Sequence, residues 1–252
     1  MTGAGARLGA AMAEALAADG YAVAVHHHAN ADGARRVVDG IRAAGGRAEA
    51  LRADLLDRTA TDALVTGAAE ALGGPLTVLV NNASVFERDD IGTVTAETWD
   101  RHMGSNLRAP LMLTQAFAAQ APEAGHDGEP LATACIVNMV DQRVLRPTPA
   151  FTTYSLAKAG LWWLTRTTAQ ALAPGIRVNA IGPGPTIRAA RQSEDHFAAQ
   201  RAGTVLGRGA DAGDVVSALR YLVGAKAVTG QLICVDGGQH LGWRTADVHG
   251  GT

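Results

Sequence analysis

The sequence predicts a single α/β domain built on a doubly wound parallel sheet. Short apolar runs alternate with helical patterns along the 252 residues, as is typical of parallel strands joined by helical crossovers. No internal repeat, linker or low-complexity segment interrupts this alternation. A composition of 47% hydrophobic and 18% charged residues suits one globular domain with a large core. We therefore treat residues 1–252 as one domain.

The elements follow in order from the same alternation, and glycine or proline ends most of the helices. Predicted helices cover 10–18, 32–44, 59–72, 95–117, 154–173 and 211–223. Predicted strands cover 21–28, 48–51, 76–80, 135–140, 176–181 and 231–235. Residues 186–209 are polar, arginine-rich and poor in strand signals, so we predict a mobile helical lid over the site. The tail, 240–252, is expected to frame a neighbouring subunit's site or to be disordered.

Composition excludes several classes of partner. A net charge of −2 gives no reason to expect nucleic acid or an anionic membrane. No apolar run approaches the ~20 residues of a membrane span, and no signal peptide is visible, so we expect a cytoplasmic protein. Cys135 and Cys234 lie inside apolar strand patterns and are predicted to be buried free thiols.

Tyr154 and Lys158 are the first candidates for chemistry. They are four residues apart and share one face of a predicted helix. A free tyrosine titrates near ~10, and a nearby ammonium lowers that value by favouring the phenolate. The pair therefore suggests a proton donor with an electrostatic tuner. An isolated pair of this kind most often lies on a solvated helix face, so its meaning depends on the rest of the chain.

A glycine-rich turn, residues 1–9, precedes the first predicted helix and could hold a pyrophosphate on main-chain N–H groups. The next strand ends in His26, His27 and His28 with Asn30 close behind, and no acid follows it. An acid there favours NAD, so its absence favours NADP. Only His26 and His28 could converge on one face of the strand, and we predict no metal site.

These pieces together resemble the short-chain dehydrogenase/reductase family over nearly the whole chain. They occur in the family's order and spacing: Thr2-Gly3 to Gly9, Asp54-Leu55, Asn81-Asn82-Ala83, Asn106, Tyr154 with Lys158, Asn179, Pro183-Gly184 and Asp236-Gly237-Gly238. The resemblance implies a seven-stranded Rossmann sheet, an NAD(P) cofactor and a homotetramer.

Three departures from the common family pattern resemble the pteridine reductase branch and the similar bacterial dihydromonapterin and dihydrofolate reductases. Arg7 replaces a glycine, Asp141 replaces the serine thirteen residues before the tyrosine, and Phe86 follows Asn-Asn-Ala-Ser-Val. In that branch the phenylalanine stacks on a pterin, and a flat heteroaromatic ring does gain from stacking. From the residues alone, Phe86 could equally be a core residue and Asp141 a loop cap.

The resemblance implies a role for each matching residue. Asp141, Tyr154, Lys158 and Asn106 would be catalytic, with Asn106 supporting a water chain behind Lys158. Arg7, Ser84, Phe86, Asp141 and Tyr154 would contact substrate. NADPH would contact Gly3, Arg7, Leu8, His27, His28, Asn30, Asp54, Leu55, Asn82, Ala83, Ser84, Tyr154, Lys158, Pro183 and Gly184.

The expected reaction is NADPH-dependent reduction of a dihydropterin, with dihydrofolate as a further candidate. Tyr154 would protonate nitrogen, and Asp141 would hydrogen-bond Tyr154 and oppose its ionisation. Two alternatives stay open: an NADPH-dependent ketone or 3-oxoacyl reductase, and a non-catalytic nucleotide-binding scaffold.

The family's first strand has no counterpart in the sequence before Thr2. That strand would lie in the middle of the sheet, and an empty central slot would leave backbone and apolar faces unpaired. We therefore expect roughly 5–8 further residues, mostly apolar or β-branched, to precede Thr2 in the natural protein.

Overall fold

A computed structural model describes residues 1–188 and 192–243. Its α-helices are α1 (Arg7–Ala18), α2 (Ala31–Ala43), α3 (Arg58–Leu72), α4 (Ala96–Met103), α5 (Ala109–Gln120), α6 (Thr152–Ala171), α7 (Glu194–Ala202) and α8 (Ala212–Gly224). Its strands are β1 (Val23–His27), β2 (Ala48–Arg52), β3 (Val78–Asn81), β4 (Gly125–His126), β5 (Pro130–Leu131), β6 (Ala134–Met139), β7 (Ile176–Pro183) and β8 (Leu232–Val235).

The strands form the predicted parallel α/β architecture. β3, β6, β7 and β8 pair side by side in that order, and β1 pairs with β2, all in parallel. Asn81 of β3 lies opposite Asn138 of β6, and Met139 lies opposite Ile181 of β7. The carboxyl ends of these strands therefore meet at one edge, where α/β sheets bind their ligands.

A gap separates β1 from β3 in the middle of this sheet. The main chain of Met1 and Thr2 bridges it: Met1 O accepts from His26 N at 3.1 Å, and Thr2 N donates to Val80 O at 3.0 Å. Below this bridge lies a cavity of about 200 Å³ with mostly apolar walls from both strands and α3. The described strands therefore form two parallel groups, β1 with β2 and β3 with β6, β7 and β8, which this bridge connects.

A buried polar chain fixes α6 on the sheet. Asn81 Nδ2 donates to Asn138 Oδ1 at 2.8 Å, and Asn138 Nδ2 donates to Thr165 Oγ1 at 2.9 Å. Each of these side chains is at most 2% exposed, so an unmade bond here would be costly. The chain thus sets the height of α6 relative to the carboxyl edge of β3 and β6.

Most element boundaries differ from the predicted ones by one or two residues. The helix predicted over 95–117 is continuous but contains a π-helical turn, Gly104–Arg108, which joins α4 to α5. Residues 186–209 hold α7, and 189–191 of that predicted lid, like 244–252 of the predicted tail, lie outside the described residues. None of the helices in the described part combines the length and apolar character that crossing a membrane takes.

The prediction for the two cysteines is half right. Both are free thiols, but only Cys135 is buried, whereas Cys234 on β8 is partly exposed. β8 is paired on one side by β7 and is partly accessible along its length. The apolar pattern of 231–235 did not distinguish such a strand from a fully covered one.

His26 holds the glycine turn against β1 and β2. Its Nδ1 accepts from Gly3 N at 3.0 Å, and its Nε2 lies 3.1 Å from Ala53 O. Because Nδ1 accepts, the ring is the neutral tautomer with its proton on Nε2. Burial lowers the pKa of His26 to about 4, and the hydrogen bond to Ala53 opposes that shift only in part.

The stability of the protein should therefore fall in acid because of His26. Between its ordinary pKa of 6.5 and about 4, the unfolded chain takes up a proton that the folded chain excludes, so unfolding becomes easier as pH decreases. The slope from this group approaches about 1.4 kcal/mol per pH unit in that window and vanishes above it. Urea denaturation of the native protein at several pH values measures the effect.

His26→Asn keeps an acceptor for Gly3 and removes the titration, so its stability should depend less on pH over the same window. His28→Asn is the matched control, since the His28 side chain is 58% exposed. If the native protein and His26→Asn lost stability equally as the pH falls, His26 would not be the group responsible.

Candidate active site

The glycine turn is fastened to the end of β3 by Thr2 and Asn82. Thr2 Oγ1 accepts from Asn82 N at 2.9 Å and from Ala83 N at 3.0 Å. Asn82 Nδ2 donates to Thr2 O and Gly3 O, each at 3.0 Å. The predicted cofactor residues Asn82 and Ala83 therefore also shape the turn from behind.

The turn needs glycine because other chain segments approach it closely. Gly3 has φ +60°, and a Cβ there would lie 2.9 Å from Ala83 Cα. A Cβ on Gly9 would lie 2.2 Å from Gly3 O. The N-cap of α1 is Ala6, which has no side-chain acceptor, so its first amides are available to a ligand. This cradle fits the pyrophosphate of a dinucleotide.

Arg7 opens α1 in the left-handed region, with φ +54°. A side chain with a Cβ is strained there by roughly 1 kcal/mol or more, which explains why glycine is usual. Arg7 Nη1 donates to Arg188 O at 2.9 Å, and Nη2 donates to Ile187 O at 2.7 Å. It lines the cleft as predicted, while these donors hold the segment that leads into residues 189–191.

The predicted ribose-phosphate contacts at the end of β1 are only partly available. Asn30 Oδ1 caps α2 through Gly33 N at 3.1 Å, and its Nδ2 donates to Gly5 O at 3.2 Å. His28 Nε2 lies 3.8 Å from Asp54 Oδ2 and is exposed. His27 Nδ1 is buried and has no hydrogen-bond partner within residues 1–188 and 192–243, which leaves it for a ligand.

Leu55 contributes to the site through its main chain at most. Its side chain is 7% exposed and belongs to the hydrophobic cluster between α3, α5 and the sheet. Asp54 keeps an accessible carboxylate, whose Oδ1 accepts from Leu56 N at 2.9 Å. Of this predicted pair, Asp54 is the one whose side chain can meet a cofactor.

A cleft of about 550 Å³ opens at the carboxyl edge of the sheet, and most of the predicted catalytic and substrate residues line it. Its walls are Arg7, Leu8, Asn82, Ser84, Phe86, Met139, Val140, Asp141, Tyr154, Lys158, Pro183 and Gly184. The parallel register brings these side chains together from α1, β3, β6, α6 and β7.

Asp141 stands at the centre of the cleft between a phenol and a guanidinium. Tyr154 Oη donates to Asp141 Oδ2 at 2.9 Å. Arg143 Nη1 donates to the same oxygen at 3.2 Å, and Arg143 N donates to Oδ1 at 2.9 Å. Sequence reasoning found the first contact but missed Arg143, whose position depends on the short 3₁₀ turn Gln142–Val144.

The pKa of Tyr154 moves in the direction opposite to the one that the Tyr–Lys spacing suggests. Burial, and then the Asp141 charge, raise the pKa of Tyr154 well above its ordinary value, against a weaker opposing effect of Arg143. The influence that lowers this pKa comes from Arg143 and not, as we expected, from Lys158. Burial also lowers the pKa of Lys158 to about 8, with Asp141 opposing, while its Nζ donates to Met139 O at 2.7 Å. The phenol is therefore held protonated.

Phe86 is part of an aromatic cluster beside this acid. Its ring stacks on Phe151 with centroids 4.5 Å apart and an interplanar angle of 11°. It also meets the Tyr154 ring at 4.6 Å in an edge-on arrangement. The Arg143 guanidinium lies 5.6 Å from the Phe86 centroid and 5.1 Å from that of Phe151. Phe86 thus lines the cleft instead of joining the core.

Asn106 makes a contact that its predicted role did not include, whereas Ser84 lies in the cleft as predicted. Asn106 lies in the π-helical turn, accepts from Val85 N at 2.9 Å and donates to Val85 O at 2.8 Å. Its side chain therefore fixes the segment that carries Phe86. Ser84 Oγ lies in the cleft and donates to Val85 O at 3.3 Å. The water chain behind Lys158 stays a prediction.

Three potential metal ligands, Cys234, Asp236 and His240, come together near β8, a cluster that the sequence analysis did not single out. Asp236 already accepts from Gly238 N at 2.9 Å and from His240 Nδ1 at 2.8 Å. Burial, and then the nearby carboxylates of Asp236 and Asp141, raise the pKa of the Cys234 thiol to about 11. Hydrogen bonds already account for the cluster, so it gives no reason to invoke a cation.

Comparison with known proteins agrees with this geometry. A family model described as enoyl-(acyl carrier protein) reductase matches residues 3–240. Pteridine reductase 1 of Leishmania tarentolae is 32% identical, over 96% of this chain and 95% of its own length.

Two solved structures extend the comparison. FolM alternative dihydrofolate reductase 1 from Brucella suis, in complex with NADP, is 39% identical with a TM-score of 0.91, covering 98% of this chain and 96% of that one. The angucycline C-6 ketoreductase LanV with bound NADP is 30% identical with a TM-score of 0.86, covering 96% and 94%. The chain belongs to the short-chain dehydrogenase/reductase family, and pteridine and dihydrofolate reductases are among the members that it resembles.

Proposed function

We propose that this protein is an NADPH-dependent reductase of dihydropterins, with dihydrofolate as a further substrate. The observation that carries the proposal is the hydrogen bond from Tyr154 to Asp141 at 2.9 Å. A neutral phenol buried beside a carboxylate suits a site that must donate a proton after hydride transfer to a C=N bond. The similarity to a FolM dihydrofolate reductase and to pteridine reductase 1 supports the same reaction.

When bound, NADPH supplies a hydride. We propose that the glycine turn holds its pyrophosphate, that His27 and His28 contact the adenosine ribose and its phosphate, and that Asp54 contacts the adenosine away from the phosphate. Lys158, with its Nζ buried beside Met139 O, would hold the nicotinamide ribose. The NADP bound to the FolM structure supports this choice of cofactor.

Tyr154 would protonate the substrate nitrogen, and its phenolate would be short-lived because Asp141 repels it. Arg143, which shares Asp141 Oδ2 with the phenol, would offset the extra negative charge until a proton returns. Phe86 would stack on the flat ring and bring its nitrogen to the Tyr154 hydroxyl. The cluster of Phe86, Phe151 and Arg143 favours a substrate with a planar ring over one with a flexible acyl chain.

Reduction of a ketone is the second candidate. Tyr154 and Lys158 alone would serve a carbonyl oxygen, and LanV, a ketoreductase, shares the fold at 30% identity. A carboxylate at residue 141 is what argues against it, because the common family residue there is a serine that stabilises a carbonyl-derived oxygen without repelling the phenolate.

Tyr154→Phe should abolish turnover without loss of cofactor binding. Removing a general acid typically costs a factor of about 10² to 10⁴ in kcat. NADPH oxidation is measured with dihydrobiopterin, dihydromonapterin, dihydrofolate and an acetoacetyl thioester, and NADPH fluorescence reports binding. Turnover of the thioester alone by the native enzyme would favour the second candidate. Binding of NADPH without oxidation by any substrate would indicate a non-catalytic scaffold.

Asp141→Ser should separate the two chemistries. It removes a cause of the raised Tyr154 pKa, so we expect pterin reduction to fall by about 30-fold or more and ketone reduction to change by less than about threefold. Asp141→Asn, which keeps an acceptor without the charge, is the matched variant. Equal losses of activity on the pterin and on the ketone would contradict the proposed role of the Asp141 carboxylate.

We also propose a cytoplasmic homotetramer. Leu111 on α5 with Leu156 and Trp163 on α6 are exposed apolar side chains, which supports burial against other subunits. Light scattering of the native protein should give four times the 25.9 kDa chain mass, and a monomeric mass would contradict the assembly.

A further inference from the structure

Helix α6, which carries Tyr154 and Lys158 in its first two turns, is capped by a residue far away in the sequence. Its N-cap is Phe151, a side chain without an acceptor, held in the left-handed region at φ +63°. Asp89 supplies the cap instead. Thr153 N donates to both carboxylate oxygens of Asp89, at 3.3 and 3.4 Å, and Phe151 N donates to Asp89 O at 2.7 Å.

A second set of bonds extends this cap to α4. His102 is fully buried, and its Nε2 accepts from Glu87 N at 3.1 Å, so its proton is on Nδ1. Nδ1 lies 2.7 Å from Thr153 Oγ1 and 2.9 Å from Thr98 O. Thr153 Oγ1 is in turn hydrogen-bonded to Asp89 Oδ2. Each side chain therefore donates to the next: His102 donates to Thr153, and Thr153 donates to Asp89.

The three side chains are almost completely excluded from solvent: Asp89 is 2% exposed, and His102 and Thr153 are both 0% exposed. A buried carboxylate is tolerated only when its hydrogen bonds are made, and here it also faces the positive end of the α6 dipole. Neither His102 nor Asp89 lines the cleft.

The network ends beside Phe86 and Tyr154, the two residues that the proposed substrate would contact. Glu87, fixed by His102, follows Phe86, and Thr153, fixed by Asp89, precedes Tyr154. The Phe86 and Tyr154 rings are 4.6 Å apart. Any shift of Asp89 or Thr153 would move one ring relative to the other.

We propose that Asp89, Thr153 and His102 are positioning residues that set the distance between the stacking ring of Phe86 and the proton-donating hydroxyl of Tyr154. The inference rests on the proposed function only in taking Phe86 as the substrate platform. A displacement of about 1 Å between platform and acid is enough to lower the rate of the chemical step substantially.

The test compares two threonines of the same helix. Thr153→Val removes the bridging hydroxyl and keeps the shape of the side chain, while Thr153→Ser keeps the hydroxyl. Thr168→Val is the matched control, because Thr168 is partly buried on the same helix, about four turns from Tyr154, and its hydroxyl donates to Leu164 O of α6 itself at 2.6 Å. All three variants are studied as full-length enzyme with NADPH.

We expect Thr153→Val to lower kcat by about tenfold or more while the KM for NADPH changes by less than about twofold, and Thr153→Ser to stay near the native value. Thr168→Val should leave kcat unchanged, whatever its effect on the unfolding temperature. Equal effects of Thr153→Val and Thr168→Val on kcat would overturn the proposal. Each variant is assayed with whichever of the pterins or the thioester the native enzyme reduces best. An error in the proposed substrate class would therefore be revealed by the native enzyme, and failure of the present proposal by the variants.

Hydrogen–deuterium exchange tests the connection without turnover. Thr153→Val should speed exchange both at the start of α6 and in residues 84–91, because the hydroxyl joins the two segments. Thr168→Val should change neither segment. Faster exchange confined to α6, with residues 84–91 as in the native protein, would overturn the proposal even in a protein that reduces none of the substrates.

Discussion

The hydrogen bond between Tyr154 and Asp141 is the contact on which the proposed chemistry of this protein depends. It joins the end of β6 to the start of α6 and places a carboxylate against a buried phenol. Burial and this charge both favour the neutral phenol, so the residue is built to release a proton only to a strong acceptor. Arg143 is the counterweight, because its guanidinium bonds to the same carboxylate and lies over the two stacked phenylalanine rings.

The sheet and most helices could be predicted because their signals are local. Apolar runs such as 135–140 and 176–181 identify buried parallel strands from sequence alone. The π-helical turn Gly104–Arg108 could not be predicted, since its hydrogen bonds differ from those of a normal helix by one residue and the apolar pattern continues through it. The resemblance supplied the site residues, and the register of β3, β6 and β7 explains why they converge.

What sequence reasoning missed are bonds between residues far apart in the chain. His26 looked like one of three similar histidines, yet it alone is buried between Gly3 and Ala53. Asp89 is 64 positions from Thr153, whose main-chain N–H it accepts, and no local pattern marks it. The Tyr–Lys spacing suggested a lowered pKa for Tyr154, whereas burial, which a spacing does not report, raises it together with Asp141, whose opposing charge was expected. Arg7 was correctly expected in the cleft, but its two bonds to Ile187 and Arg188 depend on the fold.

The geometry of the aromatic cluster limits how a flat substrate can enter. The rings of Phe86 and Phe151 are already in contact at 4.5 Å, whereas a third ring between them would need roughly 7 Å, about 3.5 Å on each side. A pterin that stacks on Phe86 must therefore use the face turned away from Phe151. Phe151 and Arg143 then pack against Phe86 and keep its ring in place when a substrate stacks on it. The hydrogen bond from Phe151 N to Asp89 O holds Phe151 at its strained φ, and Asp89 also caps α6, which carries Tyr154. The same residue therefore stabilises both the ring behind Phe86 and the start of α6.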